Sequence, residues 1–343
     1  MSRRRLIWLT QVLKDRIFRE RLSRHSDVHF LVAAPRSGTT WMQTALNAHP
    51  SIYCVENRLF GEFCEIWPNN DGTSSPRITL DSVAKIYAGH IPQPCEGGVL
   101  SMQETIGSAL CSALLRCERK ISGKRIIIDK VTPYVGTARR VAQGIASTFP
   151  QARIVHLVRD GRDVLVSGLF HWIRRSSEGR TKLQHIGEQK RLLNDDFIDV
   201  WARMWLEVNS AMLGNEQVVH RLRYEELVTA FDKAFPKLLK AYGVDAGVEI
   251  VDAARSASAF EKMSGGRHPG QMDAASAARR GLPGDWRNWM TRRDGERFMA
   301  TAGEALVEFG YAKDDWVSEL SIELHQPRVV PLTEEASERE MSA

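Results

Sequence analysis

A six-residue apolar run that breaks at once into Pro-Arg-Ser-Gly constrains this 343-residue chain more than any other feature. His29–Ala34 (HFLVAA) reads as a buried strand, because a short apolar run bounded by turn residues leaves no polar alternate for a solvent face. Pro35–Trp41 (PRSGTTW) follows, and from Thr39 to Ala48 the pattern turns helical, with Trp41, Ala45 and Ala48 at helical spacings. A strand that passes through such a turn into a helix leaves the first helical amides unpaired and partially positive. Gly38 allows the tight turn and lets a ligand approach without a Cβ in the way. Ser37, Thr39 and Thr40 add hydroxyl donors, and Arg36 adds a fixed cation. The segment is therefore an anion cradle suited to a phosphate.

It is not built as a nucleoside-triphosphate loop. That loop needs GxxxxGK[ST]. With Gly38 as the second glycine, the first position falls on Ala33 and the lysine position on Thr39.

The rest of the chain alternates strand-like and helix-like stretches. Ser51–Val55, Arg125–Asp129 (RIIID), Arg153–Val158 (RIVHLV) and Val218–Arg223 read as strands. Helices are expected over Gly136–Thr148, Asp163–Arg175 and Phe197–Leu213, the last carrying Trp201 and Trp205 at i, i+4. Tyr224–Tyr242 reads as a turn followed by a helix. Residues 61–100, with a short helix at Leu80–Ala88, and polar residues 176–196 read as irregular segments that shape a substrate pocket. Apolar strands alternating with helices imply an α/β domain, a central parallel sheet covered on both faces.

Composition sets outer limits. At 43% hydrophobic and 26% charged residues the chain is neither disordered nor a membrane bundle. No run approaches the roughly 18 apolar residues of a spanning helix. Five cysteines without a CxxC pair argue against a disulfide framework or zinc site and for a reducing, cytoplasmic setting. The expected division is a basic amphipathic helix at 1–25, a domain at 26–313 and an acidic, solvated tail at 314–343. The first segment carries eight Arg/Lys and two acids, with Leu6, Leu9, Leu13 and Ile17 along one face. It either packs on its own domain or a partner, or lies peripherally on an anionic membrane. His25 and His29 share HxxxH spacing, but His29 opens a strand, so no metal site is expected.

With these motifs in place, the chain resembles the sulfotransferases that use 3′-phosphoadenosine-5′-phosphosulfate (PAPS). PRSGTTW is similar to their 5′-phosphosulfate loop. RDGRDVLVSGLF (Arg159–Phe170) is similar to the stretch whose first Arg and later Ser grip the 3′-phosphate, which implies Arg159 and Ser167. RYEEL (Arg223–Leu227) implies Tyr224 near the adenine, and SAFEKM (Ser258–Met263) implies Ser258 and Phe260 beside it. RRGLPGDWRNWMT (Arg279–Thr291) implies that Arg279, Arg280 and Gly281 form a flap over the 3′-phosphate, packed by Trp286 and Trp289. The resemblance runs over about residues 28–312. It implies PAPS as sulfuryl donor and 3′-phosphoadenosine-5′-phosphate (PAP) as product, with no metal and no nucleic-acid partner. Physics agrees, since a phosphate dianion favours planar, bidentate Arg donors.

Sulfuryl transfer needs a base for the acceptor hydroxyl, charge stabilisation at the leaving oxygen, and in-line geometry. Where the cytosolic members carry a His in K-x-H, this chain has Thr132, which cannot act as a base at neutral pH. The chain thus looks more like bacterial, carbohydrate and tyrosine sulfotransferases, in which a Glu after the second strand is the base, here Glu56. Asp129 is the competing carboxylate and His49 a third candidate, though His49-Pro50 also suits a helix end. Lys130 and Arg36 are expected over the transferring group. The acceptor is a hydroxyl on a glycan, a glycolipid or a small alcohol or phenol, with a tyrosine side chain also open. Two other readings stay open: a P-loop kinase or phosphotransferase, which would need Mg²⁺ and the missing lysine, and a non-catalytic nucleotide-binding adaptor, which would have no use for a base.

Overall fold

The computed structural model describes residues 27–56, 111–184 and 192–313. Residues 1–26, 57–110, 185–191 and 314–343 lie outside the described residues, and so do the amphipathic helix expected at 1–25, the short helix expected at Leu80–Ala88 and the expected acidic tail.

Five strands form one fully parallel sheet: β1 (Val28–Val32), β2 (Ile52–Val55), β3 (Ile126–Val131), β4 (Ile154–Val158) and β5 (Val218–Arg223). Their spatial order is β2-β3-β1-β4-β5. The chain leaves β1 towards one edge and later crosses back over it to build the other, so the order reverses beside β1. In such sheets ligands collect at the carboxyl ends of the strands at that reversal. The turns after β1 and β4, adjacent strands, carry Arg36 and Arg159 to that place.

The apolar strands follow from burial on both faces. Along β1, Val28, Phe30 and Val32 pack into one core cluster with Ile145 and Phe149, whereas Leu31 packs into another with Met42, Leu46 and Phe235. This is the period of two that a strand imposes. Helix α1 (Thr39–Asn47) and helix α2 (Ala138–Thr148) cover opposite faces. Helix α3 (Gly161–Arg175) starts directly after β4 and, with α5 (Asp195–Met212) and α10 (Arg292–Glu308), encloses a third cluster around Trp205, Trp286 and Phe298. The stretch after β5 is two helices, α6 (Tyr224–Thr229) and α7 (Phe231–Ala241), broken at Ala230, followed by α8 (Val248–Ala257) and the one-turn α9 (Phe260–Met263).

Two expectations need correction. Part of the polar stretch expected to be irregular is a helix, α4 (Ser177–Gln184), which lacks an apolar stripe to announce it. Strand β3 continues past Asp129 to Val131, so Asp129 and Lys130 lie within the sheet and point to opposite faces. Among the described residues no helix is long and apolar enough to cross a membrane.

Candidate functional site

The loop between β1 and α1 is built around two residues with left-handed backbone. Gly38 (φ 90°) is the N-cap of α1, and no side chain caps the amides behind it. A Cβ there would lie 2.7 Å from the Tyr224 ring, so only glycine fits. Arg36 (φ 70°) is the single non-glycine residue with positive φ among those described. Its Nε donates to Ser167 Oγ at 3.4 Å. Burial, followed by the nearby Arg174 and Arg159 charges, lowers its pKa to about 10, so Arg36 remains a cation at neutral pH.

Arg159 reaches the same loop from the end of β4. Its Nη1 donates to the Arg36 carbonyl at 3.1 Å, and its guanidinium lies 4.4 Å from the centre of the Tyr224 ring. Burial works against its charge, but Tyr224, Asp163, Glu225 and Asp160 together raise its pKa above the ordinary value. The third cation comes from the segment before α10. Arg279 is buried, packs 4.3 Å from the centre of the Phe170 ring and pairs with Asp285, which also pairs with Arg280 at 2.7 Å. Burial lowers the Arg279 pKa, and the opposing pull of Asp285 does not fully offset it. Gly281 (φ 73°) sits against Phe260, whose ring a Cβ would meet at 2.4 Å.

These groups enclose one cavity of about 460 Å³. Arg36, Gly38, Thr39, Thr40, Trp41, Arg159, Ser167, Tyr224, Ser258, Phe260, Arg279, Arg280 and Gly281 all line it. Of the residues expected to bind the nucleotide, only Ser37 is not in the wall. It is buried beneath the loop, and its Oγ has no hydrogen-bond partner among the described residues, as is also true of Arg159 Nε. Ser258 is held by its neighbours: its hydroxyl donates to the Ala254 carbonyl at 2.8 Å and its carbonyl accepts from the Trp41 indole at 2.8 Å. A concavity with three converging arginines is suited to a polyanion that also offers a flat apolar surface to Phe260.

At the margin of the cavity, Lys130 and Glu56 meet across neighbouring strand ends. Lys130 Nζ lies 2.6 Å from Glu56 Oε2 and 3.4 Å from Thr40 Oγ1, so Thr40 joins the pair to the cavity wall. The Lys130 side chain is 2% exposed and that of Glu56 31%, so the carboxylate is the member that solvent reaches. Asp129 is fully buried and absent from the wall. His49 is at the other end of the sheet, its Nδ1 accepting from Ser51 N and its Nε2 3.0 Å from the Asp245 carbonyl. His29 is a core residue whose Nδ1 accepts from Arg153 N. Trp205, Trp286 and Trp289 are core, while Trp201 is partly buried beside them. Among the described residues no cluster of His, Cys, Asp or Glu could hold a metal.

Two carboxylates were not singled out from the sequence as parts of the site. The N-cap of α3 is Asp160, which accepts from Arg162 N. Asp163 instead accepts from Gly284 N at 2.7 Å and Trp286 N at 2.9 Å, and lies 3.8 Å from Arg159. It joins the Arg159 turn to the segment carrying Arg279. Asp285 then orients both flap arginines. The i, i+4 spacing of Arg159 and Asp163 was the available signal; the link to residue 284 had none.

Comparison with known proteins gives the family and the fold. The model of the Sulfotransferase family matches residues 29–247. Human sulfotransferase 2A1 is 26% identical over 173 residues, 46% of this chain and 58% of that protein. Mouse protein-tyrosine sulfotransferase 1 is 30% identical over 134 residues, 39% of this chain and 31% of that protein. The chain thus spans less than two thirds of either relative. A crystal structure of the mouse sulfotransferase SULT7A1 complexed with PAP superposes with a TM-score of 0.50 at 17% identity, covering 87% of this chain and 88% of that one, which supports the shared fold.

Proposed function

The chain belongs to the sulfotransferase family, and on that premise we propose that it transfers a sulfuryl group from PAPS to a hydroxyl acceptor. The observation that carries this reading is the convergence of Arg36, Arg159 and Arg279 on one cavity whose margin holds the Lys130–Glu56 pair. A donor that carries a 3′-phosphate and a 5′-phosphosulfate on the ribose of an adenosine needs cations at two places and an aromatic surface for its base. The loop with Arg36 would take the phosphosulfate end. Arg159, Ser167, Arg279 and Arg280 would take the 3′-phosphate, and Phe260 and Trp41 would flank the base. The unsatisfied Arg159 Nε fits such an anion, since it gains a partner on binding.

The residues then divide the chemistry. Glu56 accepts the proton of the acceptor hydroxyl as the new O–S bond forms. Lys130, Arg36 and the uncapped amides of α1 hold negative charge on the bridging oxygen as its bond to sulfur breaks and PAP departs. Glu56 suits the role of base better than Asp129, because solvent and an acceptor can reach it. The acceptor belongs to the class of glycan, glycolipid or small alcohol and phenol hydroxyls.

A transfer assay with PAPS and pooled acceptors, read by mass shift, tests the proposal. Addition of one sulfuryl group to an acceptor, with stabilisation by PAP in the absence of Mg²⁺, is expected. Stabilisation by Mg-ATP alone would favour a phosphotransferase and overturn it. PAP binding without transfer or hydrolysis would favour a non-catalytic adaptor.

A further inference from the structure

The edge of the sheet opposite the cavity carries a second cationic feature that the chemistry does not use. Along the last turns of the helical residues 111–122 and the turn into β3, positions 116–125 hold Arg116, Arg119, Lys120, Lys124 and Arg125 against one acid, Glu118. The five cations surround an open concavity of about 560 Å³. Backbone pairing fixes its place. Ile127 N donates to the Asp27 carbonyl and Ile126 N to the Ser51 carbonyl, each at 2.9 Å, and Lys124 Nζ donates to the Pro50 carbonyl at 2.9 Å. The patch therefore lies where the strands begin, whereas Arg36 and Arg159 lie where they end.

Little nearby cancels this charge. Asp27 is ion-paired with Arg119, and Asp245 accepts from Gly247 N beyond His49. Ile121, beside Lys120, is 82% exposed, an unusual position for a large aliphatic side chain. The chain also enters the fold here, because Asp27 immediately precedes β1. The 26 residues before it carry eight Arg/Lys against two acids, with Leu6, Leu9, Leu13 and Ile17 at helical spacing. The sequence leading into this edge is basic and interspersed with apolar residues, as the patch itself is.

From the cationic concavity and the exposed Ile121 beside it we propose that the amino-terminal edge of the sheet docks on an anionic lipid bilayer. Clustered Lys and Arg are drawn to anionic headgroups within about a Debye length, roughly 10 Å at 0.1 M salt. Apolar side chains among basic ones then enter the headgroup boundary. A nucleic-acid phosphate backbone would satisfy the charges but would offer Ile121 nothing to bury in. The five residues of β1, at about 3.3 Å each, put roughly 16 Å between the two edges, so the cavity opens away from the lipid. An acceptor then arrives from the aqueous side.

The test is flotation of the full chain with vesicles of phosphatidylcholine, with and without phosphatidylglycerol, at low and high salt. Binding only to the phosphatidylglycerol vesicles is expected, weakening steeply with salt. Arg116→Glu/Lys120→Glu/Arg125→Glu changes exposed positions and should reduce binding at least about tenfold with an unchanged unfolding temperature. Ile121→Ser, with charge unaltered, should weaken vesicle binding severalfold and leave any retention on a phosphate resin as it was. Three results would overturn the proposal: no binding of the wild-type chain to anionic vesicles, undiminished binding by both variants, or capture of duplex DNA with no capture of vesicles.

Discussion

At Arg36 the loop holds a non-glycine side chain at φ 70°, in a region that costs an L-residue about 1–2 kcal/mol. Such strain persists where function needs the side chain. Arg36→Gly should therefore leave the protein as stable as before or slightly more so, by about 1 kcal/mol in a denaturant titration. Its affinity for PAP should fall about tenfold or more in calorimetry, because a charged hydrogen-bond partner is lost. The Lys130–Glu56 pair makes a different prediction. Glu56→Gln keeps the shape and removes the proposed base, so turnover should drop by about 10²–10⁴-fold. Lys130→Ala should lower turnover by about 10²–10³-fold through loss of charge stabilisation. In Glu56→Gln the PAP affinity should stay at the wild-type value, and a parallel fall in affinity would show that Glu56 holds structure instead. This site was legible because its donors sit in contiguous motifs. The proximity of Lys130 to Glu56 was not, since 74 residues separate them and only the pairing of β2 with β3 brings them together.

Among the elements, the contact between the start of α3 and the Gly284–Trp286 turn unites the two halves of the cavity. Asp163 is fully buried there, and burial pushes its carboxyl pKa up even though Arg159 and two backbone amides favour the charged form. Asp163→Ala would leave both amides without a partner, at about 1–3 kcal/mol each. The expected outcome is an unfolding temperature lower by several degrees, and a PAP affinity that falls more than the affinity for adenosine 5′-monophosphate. Equal loss for both ligands would show a merely global effect. Strand β5 occupies the residues its β-branched pattern predicts, and the other strands differ by one or two positions at their ends. Helix α4 escaped notice because polar residues all round give no periodic signal, and the break at Ala230 because no Gly or Pro marks it.

For the whole molecule, alternating strands and helices implied a parallel sheet, but not the order β2-β3-β1-β4-β5. That order depends on which long-range contacts bury most, and local pattern does not carry it. The completed core predicts an acid response. His156 is buried against Asn209, and burial lowers its pKa to about 3; burial, then Arg153, lowers that of His29 to about 4. Both are neutral when folded and take up protons in the unfolded chain below its ordinary value of about 6.5. Stability is thus fully present above that value and is lost as pH falls towards 4, by up to about 1.4 kcal/mol per pH unit for each histidine. His156→Gln should flatten the unfolding free energy across this window. The proposed recognition of the donor depends most on Arg159 facing a 3′-phosphate within the cavity that Arg36 and Arg279 share. Calorimetry of wild type and Arg159→Ala with PAP and with adenosine 5′-monophosphate, which lacks that phosphate, tests it most directly. A loss of about 10- to 100-fold for PAP and little change for the monophosphate are expected. Equal losses for the two nucleotides, or none for PAP, would contradict it.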